Sequence, residues 1–148
     1  MTTIAWDGTT LAADRCSWSG SARRRVRKVF KITAADGERY LVAFAGNGSF
    51  ALAVLAWMRG GPRPHPLDFH KPDDLANQCA LVIDEQRRVW QLGNELFYSR
   101  MHESIYAYGG GQEFAWGALE AGATAEQAIR IAIKRSDFAG LGVDAVRF

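Results

Sequence analysis

The chain reads as a layered α+β protein built on antiparallel sheet. Up to Gly46 it alternates short β-prone runs with turn signals, the pattern of consecutive hairpins. Helical patterns are kept apart from these strands, the clearest being "TAEQAIRIAIKRS", where Thr124 and Gln127 stand at capping-box spacing. Helices segregated from antiparallel strands make layers. With 148 residues there is material for one domain spanning 1–148 and too little for two cores.

Taken in order, Thr2 to Trp6 and Thr9 to Asp14 flank the turn signal Asp7-Gly8 and form a first hairpin. "CSWSGSARRR", Cys16 to Arg25, is polar and reads as a loop, strand-like near Trp18. "VRKVFKIT", Val26 to Thr33, and "RYLVAFAG", Arg39 to Gly46, are two more strands about Ala35-Asp36-Gly37. The four strands are expected to form one antiparallel meander. Gly46-Asn47-Gly48 ends it, and Ser49 is placed to cap a helix over Phe50 to Arg59 that is apolar nearly all round and so should be well covered. Gly60 to Asp74 is proline-rich and reads as an insertion loop. Cys79 to Leu92 is a second hairpin; an irregular stretch and the strand Ser104 to Gly111 follow. "QEFAWGALEAG" is a helix stopped by Gly122, and "GLGVDAVRF" closes a sheet as the last strand.

A formal net charge of +2 gives no electrostatic case for nucleic acid or a membrane surface. The basic run Arg23-Arg24-Arg25 reads as a solvated strand edge. His65, His70 and His102 lack metal spacing, and Gly109-Gly110-Gly111 is not followed by the Lys-Ser/Thr of a phosphate loop. Neither a metal nor a cofactor is expected. Cys16 and Cys79 are far apart, as suits a reducing compartment, and Cys16 reads as a small buried residue rather than a thiol nucleophile. No leader and no membrane span are read, so a cytoplasmic protein is expected.

Alternation along Val26 to Ile32 puts Val26, Lys28, Phe30 and Ile32 on one face, which makes Lys28 the lone charge among apolar neighbours. It needs a carboxylate partner or a lowered pKa, unless its stem simply carries the ammonium out to water. Asp14, at the end of an otherwise neutral strand, is the nearest candidate partner and is also a natural turn residue. The opening "MTTIAWDG" then gains interest. A threonine hydroxyl needs a base to attack anything, and its own α-amine is the nearest one once Met1 has left. The Gly46-Asn47-Gly48 turn allows close backbone approach and aims N–H groups at a developing oxyanion.

The pieces "TTIAWDG", "LAAD", "VRKVFKI", "AFAGNG", "AYGGGQEFAWGALEAG" and "RSDFAGLGVDAV", in this order and spread over nearly the whole chain, resemble the proteasome β-subunits and the HslV-like bacterial peptidases among the N-terminal nucleophile hydrolases. The resemblance implies a four-layer αββα sandwich and peptide-bond hydrolysis within a homo-oligomeric ring. The substrate would be a peptide or unfolded protein, and an ATP-dependent unfoldase is an implied partner. Thr2 matches the nucleophile, Asp14 and Lys28 the acid–lysine pair, Gly46 the oxyanion donor and Asp137 the carboxylate that positions the freed amine. Trp18, Phe44 and Gly48 are the implied substrate-binding residues; the Phe44 ring would favour a small side chain in the first specificity pocket. Only Met1 would have to leave.

Two departures stand against this pattern. The family usually carries a serine in the late glycine turn, where this chain has Gly109-Gly110-Gly111. It also carries a hydroxyl shortly after the acid, where this chain has Phe138-Ala139-Gly140. A catalytically weak or inactive scaffold of the same fold is the alternative they raise. The first hairpin also has two candidate registers: a two-residue turn pairs Thr2 with Ala13, and a three-residue loop pairs it with Asp14.

Overall fold

A computed structural model describes residues 2–68 and 78–148. Met1 and the second part of the proline-rich connector, with His70, lie outside the described residues. Three antiparallel sheets and three α-helices make up the rest.

The first sheet joins both ends of the chain. Strands β1 (Thr3–Trp6) and β2 (Leu11–Asp14) form its centre, and β10 (Tyr106–Gly109) and β11 (Val143–Val146) flank them in the order β10-β1-β2-β11. The second sheet runs β5 (Val29–Thr33), β6 (Arg39–Ala45), β7 (Cys79–Ile83), β8 (Val89–Gly93), β9 (Tyr98–Met101) in sequence order. Between them in sequence, β3 (Cys16–Ser19) and β4 (Ala22–Arg25) make a separate ribbon. The expected single meander is therefore divided: its first hairpin and its second belong to different sheets. Each hairpin has a buried face of its own to satisfy, and local turn signals carry no information about which sheet a hairpin joins.

Three apolar clusters show how the sheets are covered. Ile4, Trp6, Leu11 and Ala13 of the first sheet pack with Val29, Leu41, Ala43, Leu81 and Ile83 of the second. The other face of the first sheet is nearly all alanine: Ala5, Ala12 and Ala107 meet Ala115 and Leu119 of α2 (Gln112–Glu120) and Ala125, Ala128, Ile129 and Ala132 of α3 (Ala125–Arg135). Side chains this small let helices lie close on the strands. The other face of the second sheet carries Val42, Phe44, Ala80, Val82 and Leu92 against Phe50, Val54 and Leu55 of α1 (Gly48–Met58).

Several expectations are corrected in detail. Asn47, not Ser49, caps α1, its side chain accepting from the Ser49 N–H at 3.0 Å. One side of that apolar helix is open, with Leu52 72% exposed. Cys16 to Arg25 is a hairpin rather than a loop, and β9 lies in the stretch read as irregular. Pro66–Asp68 forms one 3-10 turn in the connector. The capping box at Thr124 and Gln127 is present as read. No described helix is long and apolar enough to cross a membrane.

The first hairpin takes neither anticipated register. Ile4 pairs with Ala13 and Trp6 with Leu11, so Asp7 to Thr10 all lie in the loop. Asp7 explains this: its Oδ1 accepts from the N–H groups of Thr9 and Thr10, both at 2.8 Å, which closes a wider turn than Asp-Gly alone demands. Its Oδ2 accepts from the Ala125 N–H at 2.8 Å and ties the turn to the start of α3. Replacing Asp7 by Ala removes all of these acceptors. The expected loss is about 2 kcal/mol of stability, read as a lower urea midpoint with unchanged slope; a midpoint equal to the parent's would refute this account of the turn.

Candidate active site

The first hairpin's register decides what meets Asp14. Thr3, not Thr2, lies beside it, and the Thr3 N–H donates to Asp14 Oδ1 at 2.9 Å. The same carboxylate accepts from the Cys16 N–H at 3.0 Å, from the Gly140 N–H at 3.1 Å and from Lys28 Nζ at 3.0 Å. Asp14 is wholly buried. A carboxylate with this many donors is fully paid for its desolvation.

Lys28 precedes β5 instead of lying within it, yet its carbonyl accepts from the Phe44 N–H at 2.9 Å, which holds it against β6. The side chain is buried. Its ammonium donates to Asp14 and to the Cys16 carbonyl oxygen. Val29 points toward the first sheet, while Phe30 and Ile32 share the face toward α1, as the alternation had grouped them. The conclusion that Lys28 sits among apolar residues with Asp14 as partner holds. Burial pushes its pKa below the ordinary lysine value, against the opposing pull of Asp14.

Thr2 is 7% exposed and lines a cleft of about 820 Å³ together with Lys28, Phe44, Gly46, Gly48 and Gly109. The late glycine turn wraps the start of β1. Gly110 N–H donates to the Thr2 carbonyl at 2.8 Å, and Gly111 N–H to Thr3 Oγ1 at 3.0 Å. Gly109 has φ +105, and a Cβ there would fall 1.8 Å from the Thr2 carbonyl oxygen, so only glycine fits. Gly46 also has positive φ, 105°, and among the described residues its N–H has no acceptor. It stands in the cleft wall as an unspent donor.

Phe44 is buried between Phe30 and Phe50, edge-on to both at ring distances of 6.0 and 6.3 Å, with part of its surface in the cleft. Two candidates fall elsewhere. Trp18, 43% exposed on the β3–β4 ribbon, is not in the cleft wall, where Cys16 and Ser17 of the same strand stand instead. Asp137 is exposed on the turn after α3 and has no hydrogen-bond partner among the described residues. Sequence reasoning missed Thr3, the Cys16 backbone and Gly140 as contributors. They act through main-chain groups, which leave no side-chain signature. Tyr108 also lines the cleft and shares a hydrogen bond with Cys79, whose thiol burial pushes up to about 12, so Cys79 is no nucleophile. Among the described residues no cluster of acids, histidines and cysteines could hold a metal.

A second cavity, about 390 Å³, lies between α1 and the second sheet, lined by Tyr40, Trp57, Trp90 and Tyr98. It contains none of the residues above.

Two outcomes test the buried pair. Asp14→Ala strands Lys28 and the Thr3, Cys16 and Gly140 N–H groups without their acceptor, and should cost about 3–5 kcal/mol, measured by denaturant titration; a loss under about 1 kcal/mol would mean that water replaces the carboxylate freely. The Lys28 shift has a definite sign. Its folded pKa lies below the unfolded one, so between the two values the unfolded chain binds more protons and unfolding free energy climbs with pH. Wild-type stability relative to Lys28→Met should therefore improve as pH is raised toward 10.5, the ordinary lysine value. A difference that stays flat, or that moves against the wild type, over that range contradicts the assignment.

No family model matches the chain, and no curated protein matches it. Solved structures do. BPH of Thiobacillus denitrificans superposes with a TM-score of 0.69 at 19% identity, covering 99% of this chain and 96% of its own. The same protein in complex with epoxomicin gives 0.69 at 20% identity, covering 99% and 97%. Anbu, an ancestral β-subunit, from Yersinia bercovieri gives 0.67 at 11% identity, covering 100% of this chain and 81% of that one. At such identities the likeness shows a proteasome-like fold and nothing finer.

Proposed function

We propose that the protein is a threonine peptidase of proteasome type, working in the cytoplasm once Met1 has been removed. The grouping of Thr2, the buried Lys28–Asp14 pair and the unpaired Gly46 N–H in one cleft carries this reading. The three packings described above would stack as one four-layer αββα domain, and copies of it would close a ring around the cleft.

In this mechanism the Thr2 hydroxyl oxygen attacks the scissile carbonyl carbon while its proton passes to the freed α-amine. Lys28, cationic and pinned by Asp14, lowers the cost of developing negative charge on that oxygen. The carbonyl oxygen becomes an oxyanion facing the Gly46 N–H. Collapse breaks the C–N bond, the departing amine takes the proton, and the acyl group remains as an ester on Thr2. Water, deprotonated by the same α-amine, then hydrolyses that ester. Asp137 is on the same turn as Phe138, whose Cβ lies 2.7 Å from where a Gly110 side chain would begin. From that turn it would serve the amine.

The glycines at the two departures do not empty the site of hydrogen bonding. Gly111 N–H is bonded to the Thr3 hydroxyl and Gly140 N–H to Asp14. Both departures thus leave the main chain around Thr3 and Asp14 held in place. The fold shared with a protein solved in complex with epoxomicin supports the choice of probe. An epoxyketone has two electrophilic carbons, one for the hydroxyl and one for the amine, so a lasting adduct requires both groups on one residue.

Intact-mass measurement should find the chain shortened by one methionine, and epoxyketone treatment should add one inhibitor mass at Thr2. Thr2→Ala and Lys28→Ala should each cut hydrolysis of short fluorogenic peptides by about 10²–10⁴-fold. A full-length chain that never labels, or turnover unchanged by Thr2→Ala, would reject the enzyme and leave the scaffold.

A further inference from the structure

The charge of the cleft goes beyond the chemistry of the nucleophile. None of its described lining residues is an aspartate or glutamate, while Arg27 and Lys28 both belong to it. The Lys28 charge is met by Asp14. The Arg27 charge is met by no carboxylate among the described residues.

Arg27 is nevertheless held in place. Its Nε–H donates to the Val29 carbonyl at 3.0 Å, and its guanidinium carbon lies 5.3 Å from the centre of the Phe30 ring. Phe30 in turn is edge-on to Phe44, and Phe44 to Phe50 of α1. A file of packed rings thus fixes the guanidinium at the cleft wall. The two terminal nitrogens remain without an acceptor among the described residues. That is the edge with which arginine receives a carboxylate.

The ribbon adds to this. Ser17 lines the cleft and pairs directly with Arg24, so the two side chains share one face of the ribbon. Arg24 therefore belongs to the ribbon that borders the cleft, outside the cleft's own lining. Arg23 and Arg25 are its neighbours, exposed and likewise without a carboxylate partner among the described residues.

We propose that the cleft selects acidic peptides, Arg27 receiving a carboxylate close to the scissile amide and Arg24 drawing it in. The assignment names the substrate class for the peptidase reading and rests on it. Arg27 and Arg24 are both exposed, so the attraction is that of solvent-accessible charges, and salt weakens it.

The test separates recognition from chemistry by using the Thr2→Ala chain for binding and the wild type for turnover. The probes are alanine–serine hexapeptides that carry one Glu, or one Gln in its place, at each position in turn. At one or two positions the Glu peptide should bind roughly fivefold more tightly than its Gln twin, and the preference should shrink in high salt. Arg27→Gln should bring that ratio close to one, with Arg27→Lys restoring part of it. Glu and Gln twins that bind alike at every position would overturn the proposal, as would a preference untouched in the Arg24→Gln, Arg27→Gln double variant. Absence of measurable binding by every Glu peptide, or a short DNA strand that displaces the Glu peptides at equal concentration, would overturn it as well. If wild type cleaves both twins equally, the acidic preference falls and the peptidase stands. If the binding preference appears with no cleavage, the peptidase falls and the recognition site stands.

Discussion

The Asp14 carboxylate is the point at which four distant parts of the chain are held to one another. Its donors come from the start of β1, the β2–β3 junction, the lysine before β5 and the loop between α3 and β11. Three of them are main-chain amides, whose positions follow the backbone. The carboxylate therefore orients strands and not only side chains. It fixes β1 in register with β2, brings the second sheet to the first through Lys28, and seats the C-terminal loop behind the cleft. Because the group is wholly buried, each donor meets a charge with no water competing for it.

That arrangement explains the glycine turns. With Thr3 drawn to Asp14, the Thr2 carbonyl and the Thr3 hydroxyl point at residues 109–111, which must approach them closely. A Cβ on Gly111 would lie 2.6 Å from Thr3 Oγ1, and one on Gly110 would lie 2.7 Å from Phe138 Cβ. A serine at Gly110 or Gly111 has no room unless Phe138 or Thr3 moves. The chain has filled that space with a ring and supplied the hydroxyl from β1. The departures from the resembled pattern are thus coupled to one another, since Phe138 itself stands near one of the two missing hydroxyls.

Sequence patterning disclosed most of the elements and the central pair, and its failures have physical causes. The capping box at Thr124 and the β7–β8 hairpin were legible because their signals are local. Lys28 was legible because a charge in an apolar alternation needs a partner. The division of the hairpins between two sheets was not legible, because sheet membership is decided by long-range packing. The register of β1 against β2 turned on one side chain, Asp7, closing a wider loop. Trp18, implied by the resemblance to bind substrate, is exposed on the ribbon, and Cys16 and Ser17 of the same strand take the cleft wall. Main-chain donors such as Gly140 have no side chain by which to be noticed.

Energetics bears on whether such a site would persist without use. A buried ammonium–carboxylate pair loses more hydration than its mutual attraction returns, and apolar residues of similar volume are often as stable or better. Here the pair sits beside a core that already supplies Val29, Ile4 and Ala13 on one side and α1 on the other. Folding has its own use for the carboxylate, which also serves the Thr3, Cys16 and Gly140 N–H groups, so the buried ammonium of Lys28 is the part of the pair that main-chain bonding does not call for. The Gly46 N–H in the same wall belongs to an exposed residue and has no protein acceptor among the described residues, so water can reach it and it costs folding little. Under the proposed peptidase reading, the Lys28 ammonium and the solvent-facing Gly46 amide would together suit negative charge developing in the cleft. A carbonyl turning into an oxyanion at Thr2 would bring that charge.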